Sequence, residues 1–299
     1  MNRRFRTVSV LMGGSSEERS VSMKSGAAVA KGLRAAGYDV TEVDVISEER
    51  LAIPAGTEAV FIALHGRFGE DGGVQALLRE MRMPYTGSGP ESSRQAFDKT
   101  LARAALARAG VPIPEGRPLY ADPGACPIPL PAVVKPARQG SSIGCVVVES
   151  PGEWAAAYAK AAAHGGDVVV EAFIPGRELT VGIVGGEPLP VVEIVAPGGR
   201  YDYTAKYTPG LTRYLVPAPL PAAVAAGVRA CALDVFRALG AADLGRADFR
   251  LDPDGRWYAL ELNSIPGFTE TSLLPKAAAA AGIAFPDLCD RILNLASVR

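Results

Sequence analysis

The residues with the clearest chemical signature are Asp248, Glu261 and Asn263, which lie on the two arms of one predicted β-hairpin. The turn sequence Asp252–Gly255 separates two runs of alternating apolar and polar residues, which is typical of a hairpin. Two neighbouring carboxylates repel unless a cation or water lies between them, and an all-oxygen set with an amide suits Mg²⁺. A solvated outer face of an antiparallel sheet is the ordinary alternative. The hydroxyl-rich turn that follows, residues 264–269, favours the metal site.

The register of this hairpin decides how close the carboxylates come. If the turn pairs Leu251 with Arg256, Asp248 lies opposite Ala259, and Glu261 becomes its diagonal neighbour at roughly 7–8 Å. Strict alternation then assigns two faces to the hairpin. The predicted polar face carries Arg246, Asp248, Glu261 and Asn263. The predicted apolar face carries Ala247, Phe249, Leu251, Tyr258, Leu260 and Leu262.

Composition excludes several classes of function. The chain has 299 residues, 48% hydrophobic and 21% charged, with a formal net charge of −1. This balance gives no electrostatic reason to expect a nucleic-acid or membrane partner. The apolar run Val8–Met12 is too short for a signal sequence or a membrane span. The 4 cysteines and 2 histidines form no zinc or disulfide pattern, and we expect a cytoplasmic protein with reduced thiols.

The first segment has the order of a doubly wound α/β unit. A strand over Thr7–Leu11 and a glycine turn precede a helix that ends near Gly37, and strands are predicted over Tyr38–Val45 and Ala59–Leu64. Ligands bind such sheets at the carboxyl ends of the strands, where Glu18 and His65 fall. On position alone, Glu18 is better explained as a first-turn residue favoured by the helix dipole. His65, in a glycine-rich loop, is the stronger ligand candidate.

The middle of the chain contains a candidate phosphate loop. A helix is predicted over Asp98–Ala109, and the proline-rich connection that follows has a short strand at Leu119–Tyr120. The next strand delivers Lys135 to the polar, glycine-bearing loop 136–144. Backbone amides of such a loop can surround phosphates, with the lysine as a point charge on them. A plain hairpin loop explains the same residues structurally.

The last part of the chain is predicted to form a hairpin and a long loop before the metal-site hairpin. A helix over Glu153–Ala163 and a strand over Asp167–Phe173 come first, followed by paired strands over Glu178–Val184 and Leu189–Val195. Residues 196–217 lack periodicity, and loops of this length are usually functional lids or disordered. Their tyrosines, lysine and arginine favour a lid. Helices are predicted from Pro219, Thr271 and Pro286.

Taken in order, the motifs resemble those of the D-alanine–D-alanine ligases of the ATP-grasp superfamily, over nearly the whole chain. The markers are residues 13–19 (GGSSEER), 63–67 (ALHGR), 84–89 (PYTGSG), 98–99 (DK), 134–136 (VKP) with 140–142 (GSS), 201–203 (YDY) with 206–207 (KY), 245–248 (GRAD) and 261–267 (ELNSIPG). The resemblance implies an α/β plus α+β fold: an N-terminal doubly wound α/β domain followed by the two α+β subdomains of an ATP-grasp fold. The domains would span residues 1–96, 97–178 and 179–299, with the metal site and the lid in the third.

The resemblance also assigns roles to particular residues, including one for Glu18 that position alone does not give. The implied catalytic residues are Glu18, Ser141, Tyr207, Arg246, Gly267 and Ser272. His65 and Lys206 would bind the substrates. Lys99 and Lys135 would contact ATP phosphates, and Glu171, Phe173, Ile174 and Glu178 would hold adenine and ribose. Asp248, Glu261 and Asn263 would bind the metal, in agreement with the hairpin argument.

The implied reaction joins two D-alanines through an acyl phosphate, for peptidoglycan precursor synthesis. ATP would be the co-substrate, Mg²⁺ or Mn²⁺ the cofactor with two ions, and the protein a cytoplasmic homodimer. The alternatives are a D-alanine–D-lactate or D-alanine–D-serine ligase and a non-catalytic nucleotide-binding regulator on the same fold. A regulator is expected to have lost Arg246, Asn263 or the pair Lys206-Tyr207, and all are present. In the resemblance, a tyrosine at position 207 accompanies amide formation rather than D-lactate ester formation.

Overall fold

The N-terminal sheet is parallel, as the sequence predicts. The computed structural model describes residues 4–199, 201, 205–206, 208, 210–269 and 271–299. Strands β1 (Thr7–Gly13), β2 (Asp39–Val45) and β3 (Ala59–Ile62) run in the order β2-β1-β3, and helix α1 (Arg19–Ala35) connects the first two. Val10 packs on the α1 side of the sheet and Leu11 on the other side. Both faces of this sheet are therefore buried, as in a doubly wound unit.

Two short helices follow that the sequence analysis did not predict. Helix α2 (Gly73–Glu80) buries Val74 and Leu78 against the second face of the N-terminal sheet, and α3 (Pro90–Phe97) begins with a proline. Each has 8 residues, so each provides only two turns of hydrophobic periodicity. Gly72, which precedes α2, has a φ of 98°, a conformation that favours glycine. The surrounding glycines obscure the helical pattern in the sequence.

The central sheet is antiparallel and carries the candidate phosphate loop. Helix α4 (Lys99–Arg108) begins where Asp98 accepts hydrogen bonds from the backbone N–H groups of Thr100 and Leu101. The strands are β4 (Gly116–Leu119), β5 (Ala132–Pro136), β6 (Val146–Val148) and β7 (Val168–Ala172), in the order β4-β7-β5-β6. Helix α5 (Trp154–Ala162) packs on one face. The strand predicted at Leu119–Tyr120 thus begins earlier and ends at Leu119.

The third sheet contains the metal-site hairpin. Its strands are β8 (Arg177–Val184), β9 (Glu187–Pro188), β10 (Val192–Val195), β11 (Arg213–Leu215), β12 (Leu244–Leu251) and β13 (Trp257–Asn263), with β11-β10-β8-β12-β13 in order and β9 paired to β8. Helices α6 (Ala222–Ala238), α7 (Leu273–Ala280) and α8 (Phe285–Asn294) pack around it and the N-terminal unit. Strand β11 falls inside the predicted lid loop, so that loop is not wholly irregular. Pairing with β10 orders this part, a long-range contact that periodicity does not reveal.

The predicted register of the β12–β13 hairpin is wrong because the hairpin contains a β-bulge. Leu251 pairs with Trp257 rather than Arg256, and the register shifts so that Asp248 lies directly opposite Glu261. The extra residue, Leu260, interrupts the alternation of β13. As a result Ala259 joins the core face in place of Leu260, while Leu262 keeps its predicted place. The bulge brings the two carboxylates closer in register than the prediction allowed.

The C-terminal helices pack against the N-terminal unit. One hydrophobic cluster combines Val10 of β1 and Leu33 of α1 with Leu274 of α7 and Ile292 of α8. The predicted domain boundaries at residues 96 and 178 stay predictions. Among the described residues, no helix is both long and apolar enough to cross a membrane.

A buried ion pair holds the C-terminus to the start of β12. The Arg299 guanidinium donates to both carboxylate oxygens of Asp243, at 2.6 and 2.9 Å, and to the carbonyl of Gly87 at 2.9 Å. The backbone N–H of Gly87 also donates to Asp243, at 2.9 Å. Burial raises the pKa of Asp243, and Arg299 opposes that increase. Asp243 therefore depends on Arg299 for its charged form.

We expect Arg299→Met to lower the free energy of unfolding by about 2–3 kcal/mol at pH 7.5, because it leaves a buried carboxylate without its cation. The loss should shrink at acidic pH, since the mutant carboxyl takes up a proton at a higher pH than the wild type. Urea unfolding at several pH values measures both effects. Arg291→Met, on an exposed position of α8, is the matched control. An equal loss at all pH values would contradict the ion-pair interpretation.

Candidate functional site

A cavity of about 590 Å³ lies where the N-terminal unit meets the third sheet and the loop that follows β5. Its lining includes these predicted site residues: Glu18, His65, Ser141, Lys206, Arg246, Asn263, Gly267 and Ser272. They come from the start of α1, the end of β3, the phosphate loop, the lid, the β12–β13 hairpin and the start of α7. These segments are distant in the sequence, so tertiary structure assembles this set.

Glu18 lies at one end of the cavity and is fixed by the phosphate loop. It is 8% exposed, and the Ser141 hydroxyl donates to its Oε1 at 2.5 Å. A Cβ atom at Gly66 would come within 2.1 Å of the other Glu18 oxygen, so position 66 requires glycine. Ser141 has a φ of 53°, an uncommon backbone conformation for a non-glycine residue that often marks functional sites.

A second carboxylate, Glu70, stands beside Glu18, and the sequence analysis did not single it out. Its Oε1 accepts from the backbone N–H of Gly66 at 3.0 Å and lies 3.5 Å from His65 Nδ1. His65 Nε2 is 3.1 Å from the hydroxyl of Ser25. The only sequence signal for Glu70 is an acidic residue in the same glycine-rich loop as His65. Burial raises the pKa of Glu18 and the Glu70 charge adds to the increase, against the Ser141 hydrogen bond, His65 and Lys206.

Cations and aromatic rings form another wall of the cavity. Lys206 Nζ donates to the Ser142 hydroxyl at 2.9 Å and lies 5.2 Å from the centre of the Tyr201 ring. The Tyr201 and Tyr214 hydroxyls are 3.0 Å apart, and Lys276 Nζ lies 5.5 Å from the centre of the Tyr214 ring. Such contacts are favourable cation–π interactions. They place positive charge at the cavity wall, and the charge of Lys206 opposes the increase in the pKa of Glu18.

Lys276 is a further lining residue that the sequence analysis did not select. Ser272 is the N-cap residue before α7, Lys276 lies four positions later in the first turn of the helix, and both line the cavity. The i, i+4 spacing after a predicted site residue was the available signal. Lys24 of α1 and Thr271 also line the cavity.

The predicted metal residues meet on the polar face of the β12–β13 hairpin. Asp248 accepts hydrogen bonds from Arg246 Nε at 2.9 Å and Nη2 at 2.8 Å, and from Asn263 Nδ2 at 3.0 Å. The Thr180 hydroxyl donates to it as well. Burial would raise the pKa of Glu261, but the charges of the nearby lysines and Arg246 outweigh it and lower the pKa to about 2.

The donor set fits Mg²⁺ in chemistry. Glu261 is ionised at neutral pH, and Asp248 lies opposite it in the register. Asn263 currently presents its amide nitrogen to Asp248, so its oxygen must turn toward the carboxylates to act as a ligand. Among the described residues, no three His, Cys, Asp or Glu side chains cluster as a metal site, as expected for a set of two carboxylates and an amide.

Lys99 and Lys135 are held between the central sheet and the hairpin. Lys99 Nζ donates to the Gln139 carbonyl at 2.7 Å and lies 3.8 Å from Glu261 Oε2. Lys135 forms a buried ion pair with Glu171, and Arg103 binds the other oxygen of Glu171 at 2.9 Å. Both lysines are buried, so their charge is weakly screened by solvent. This is a suitable environment for holding phosphate groups.

Phe173, Ile174 and Glu178 lie beyond these lysines, where β7 leads into β8. Their shared neighbour is Arg250 of β12, whose guanidinium donates to the Ile174 carbonyl at 3.0 Å and to Glu178 at 3.3 Å. The Arg250 guanidinium carbon is 5.6 Å from the centre of the Phe173 ring. The sequence analysis assigned no role to Arg250.

The remaining predicted residues have different outcomes. Gly267 lies against α7, where a Cβ atom would come within 2.8 Å of the Ser272 hydroxyl oxygen, so the turn requires a small residue there. Ser272 precedes α7, and its hydroxyl oxygen accepts from the Thr269 backbone N–H at 3.0 Å. Tyr207 lies outside the described residues, so its predicted role stays a prediction.

Comparisons with known proteins give one consistent family. The family described as D-ala D-ala ligase C-terminus matches residues 126–294, and the family described as D-ala D-ala ligase N-terminus matches residues 42–88. The chain is 46% identical over 295 residues to the D-alanine–D-alanine ligase of Syntrophotalea carbinolica, which covers 98% of this chain and 96% of that protein. It is 46% identical over 301 residues to that of Acidiphilium cryptum, covering 99% and 100%.

Solved structures give the same result. The crystal structure of D-alanine–D-alanine ligase from Bacillus anthracis superposes with a TM-score of 0.83 at 31% identity, covering 97% of each chain. The same enzyme complexed with ATP gives a TM-score of 0.84 at 29% identity, also over 97% of each chain. The expected mixed α/β architecture with an ATP-grasp fold is thereby confirmed.

We expect Glu70→Gln to lower the pKa of Glu18, because the substitution removes the neighbouring negative charge that helps to raise it. The change is measurable without substrate from the pH dependence of the Glu18 carboxyl ¹³C chemical shift. Glu17→Gln, on an exposed position next to Glu18, is the matched control and should leave that titration in place. A Glu18 titration unmoved in the Glu70 variant would contradict the coupling.

Proposed function

The chain belongs to the D-alanine–D-alanine ligase family, and we propose on that premise which of its residues bind, orient and activate each substrate. The family reaction is the ATP-dependent ligation of two D-alanines to D-alanyl-D-alanine for peptidoglycan synthesis, and this chain is such an enzyme. The observation that carries the assignment of roles is one cavity whose lining brings together eight predicted site residues: Glu18, His65, Ser141, Lys206, Arg246, Asn263, Gly267 and Ser272.

The Glu18 carboxylate suits the ammonium group of the first D-alanine. Glu18 is buried and held in place by Ser141, so it offers a fixed negative charge in a poorly solvated site. His65 stands beside it and is oriented by Ser25 and Glu70. We propose that His65 contacts the carboxylate of the first D-alanine. The raised pKa of Glu18 means that this binding should weaken as the pH falls through that pKa.

Activation of the first D-alanine requires neutralisation of phosphate charge. A carboxylate is a poor electrophile, so one of its oxygens attacks the γ-phosphorus of ATP, the bond to the β-phosphate oxygen breaks, and ADP leaves. Lys99 and Lys135 are buried cations next to Glu261 and Glu171, respectively. We propose that both lysines bind phosphate oxygens of ATP. Asp248, Glu261 and Asn263 would hold Mg²⁺ or Mn²⁺, as two ions, which supply charge neutralisation on the phosphates when bound.

The second step joins the two amino acids. The neutral amine of the second D-alanine attacks the acyl carbon and loses a proton to the departing phosphate, which leaves with the electron pair of its bond to that carbon. The developing oxyanion needs fixed donors, worth about 3–4 kcal/mol each at comparable sites. We assign this role to Arg246 and to the backbone N–H of Gly267, both of which line the cavity. Ser272 and Lys206 would hold the carboxylate of the second D-alanine.

Water must be excluded while the acyl phosphate exists, because it hydrolyses otherwise. We assign closure to residues 196–217, whose described part contributes Tyr201 and Lys206 to the cavity wall. We also propose that the protein is a homodimer and acts in the cytoplasm. The cytoplasmic location is supported by the consumption of ATP in the reaction.

Release of inorganic phosphate from ATP tests the choice of substrates. D-alanine should give rapid release, with D-alanyl-D-alanine as the product by mass spectrometry, whereas L-alanine alone should give none. Addition of D-lactate to D-alanine should yield little ester at neutral pH. A larger yield of ester than of dipeptide at pH 7.5 would contradict the assignment of the second subsite to an amino acid.

We expect Glu261→Gln to lower kcat by two or more orders of magnitude, because several kcal/mol of charge stabilisation would be lost with the metal ligand. Binding of Mg²⁺–ATP, measured by calorimetry, should weaken while the circular dichroism spectrum stays unchanged. Glu187→Gln, an exposed glutamate on β9, is the control and should retain activity. Wild-type turnover of the Glu261 variant at limiting Mg²⁺ would remove this residue from the metal site.

A further inference from the structure

Arg250 is a buried cation to which the proposed reaction assigns no role. It is only 8% exposed and lies on the same face of β12 as Arg246 and Asp248. Burial of a guanidinium is costly unless its donors are satisfied. The groups that accept hydrogen bonds from the Arg250 guanidinium therefore indicate which parts of the structure this side chain positions.

The contacts of Arg250 converge on one segment and on the first turn of the lid. Its Nε donates to the Ile174 carbonyl and its Nη2 to the Gly176 carbonyl, each at 3.0 Å. Its Nη1 donates to the Gly199 carbonyl at 3.2 Å and to Glu178 Oε2 at 3.3 Å. Residues 173–176 connect β7 of the central sheet to β8 of the third sheet. One planar group thus fixes the junction between the two sheets that enclose ATP in the proposed site.

Three of the neighbours of Arg250 are residues that the family resemblance assigns to adenine and ribose. The guanidinium lies beside the Phe173 ring, binds the carbonyl of Ile174 and pairs with the carboxylate of Glu178. The Glu178 side chain is 17% exposed, so it retains access to solvent and to a ligand. A carboxylate can accept hydrogen bonds from both hydroxyls of a ribose if its orientation is fixed. The fixed fork of arginine provides that orientation, which the flexible ammonium of lysine does not.

We propose that Arg250 is the positioning residue for ribose recognition: it orients Glu178 toward the ribose hydroxyls and ties this contact to the junction and to Gly199 of the lid. This inference rests on the proposed function and on the assignment of Glu178 to the nucleotide that the family resemblance implies. It adds to that assignment the residue that determines discrimination between ATP and 2′-deoxy-ATP. Arg250 acts through Glu178 and is not itself a catalytic residue.

The electrostatics of Glu178 agree with this role. Burial raises its pKa to about 7, Arg250 is the largest opposing influence, Asp248 raises the pKa further and Lys206 lowers it. Without Arg250 the carboxyl would therefore take up its proton at a higher pH. A carboxylate accepts hydrogen bonds from two hydroxyl groups better than a carboxylic acid does. ATP affinity should therefore fall at acidic pH, and this acidic limb of the pH profile should move to a higher pH when Arg250 is lost.

The decisive measurement compares KM for ATP with KM for 2′-deoxy-ATP in wild type, Arg250→Met, Arg250→Lys and Glu178→Gln. A hydrogen bond to a charged group predicts roughly tenfold or greater preference of the wild type for ATP. In Arg250→Met we expect that ratio to fall to about threefold or less. Arg250→Lys keeps the charge without the fork and should give an intermediate ratio. Arg256→Met, on an exposed position of the same hairpin, is the matched control and should keep the wild-type ratio.

The outcomes separate the inference from the proposed function. A Glu178→Gln variant with the wild-type ratio would show that Glu178 does not read the ribose, which overturns the proposed assignment. A low ratio in Glu178→Gln with an unchanged ratio in Arg250→Met would overturn the inference alone, as would equal weakening of both nucleotides. If Arg250→Met does not fold, Arg250→Lys decides, because a full wild-type ratio in that variant would exclude a requirement for the fork. A KM for ATP whose acidic limb moves to higher pH in Arg250→Met, where the positive charge is lost, would support it.

Discussion

The opposition of Asp248 and Glu261 across the β12–β13 hairpin is the constraint on which the rest of the site depends. The bulge at Leu260 places them directly opposite each other, and two such carboxylates would repel without nearby cations. Arg246 binds Asp248, and Lys99, at the start of α4, lies 3.8 Å from Glu261 Oε2. One charge requirement thus connects the hairpin to the helix that precedes the central sheet.

The same principle organises the substrate cavity. Glu18 and Glu70 contribute negative charge to the cavity wall, and Lys206 and Lys276 contribute positive charge. An amino acid has both charges, so two D-alanines in such a cavity are oriented by electrostatics as well as by shape. Binding and orientation therefore use the same groups.

Nucleotide and amino-acid sites are connected through the third sheet. Arg250 and Asp248 are on one face of β12, and Arg246 on that face also lines the cavity. The lid begins beside Arg250 at Gly199 and reaches the cavity at Tyr201 and Lys206. Arg250, Asp248 and Arg246 therefore form one row along β12 between the proposed nucleotide site and the cavity.

The sequence by itself determined the parallel N-terminal sheet, the hairpin with its polar face and the residue types of the site, because period-2 alternation and glycine turns are local signals. It did not determine α2 and α3, whose two turns are too short to show a period, or β11, which is ordered by pairing with β10. The bulge at Leu260, the approach of Glu70 to Glu18 and the contacts of Arg250 were decided by tertiary structure alone. Each depends on segments far apart in the chain, and a pattern within one segment carries no information about the charge that will face it.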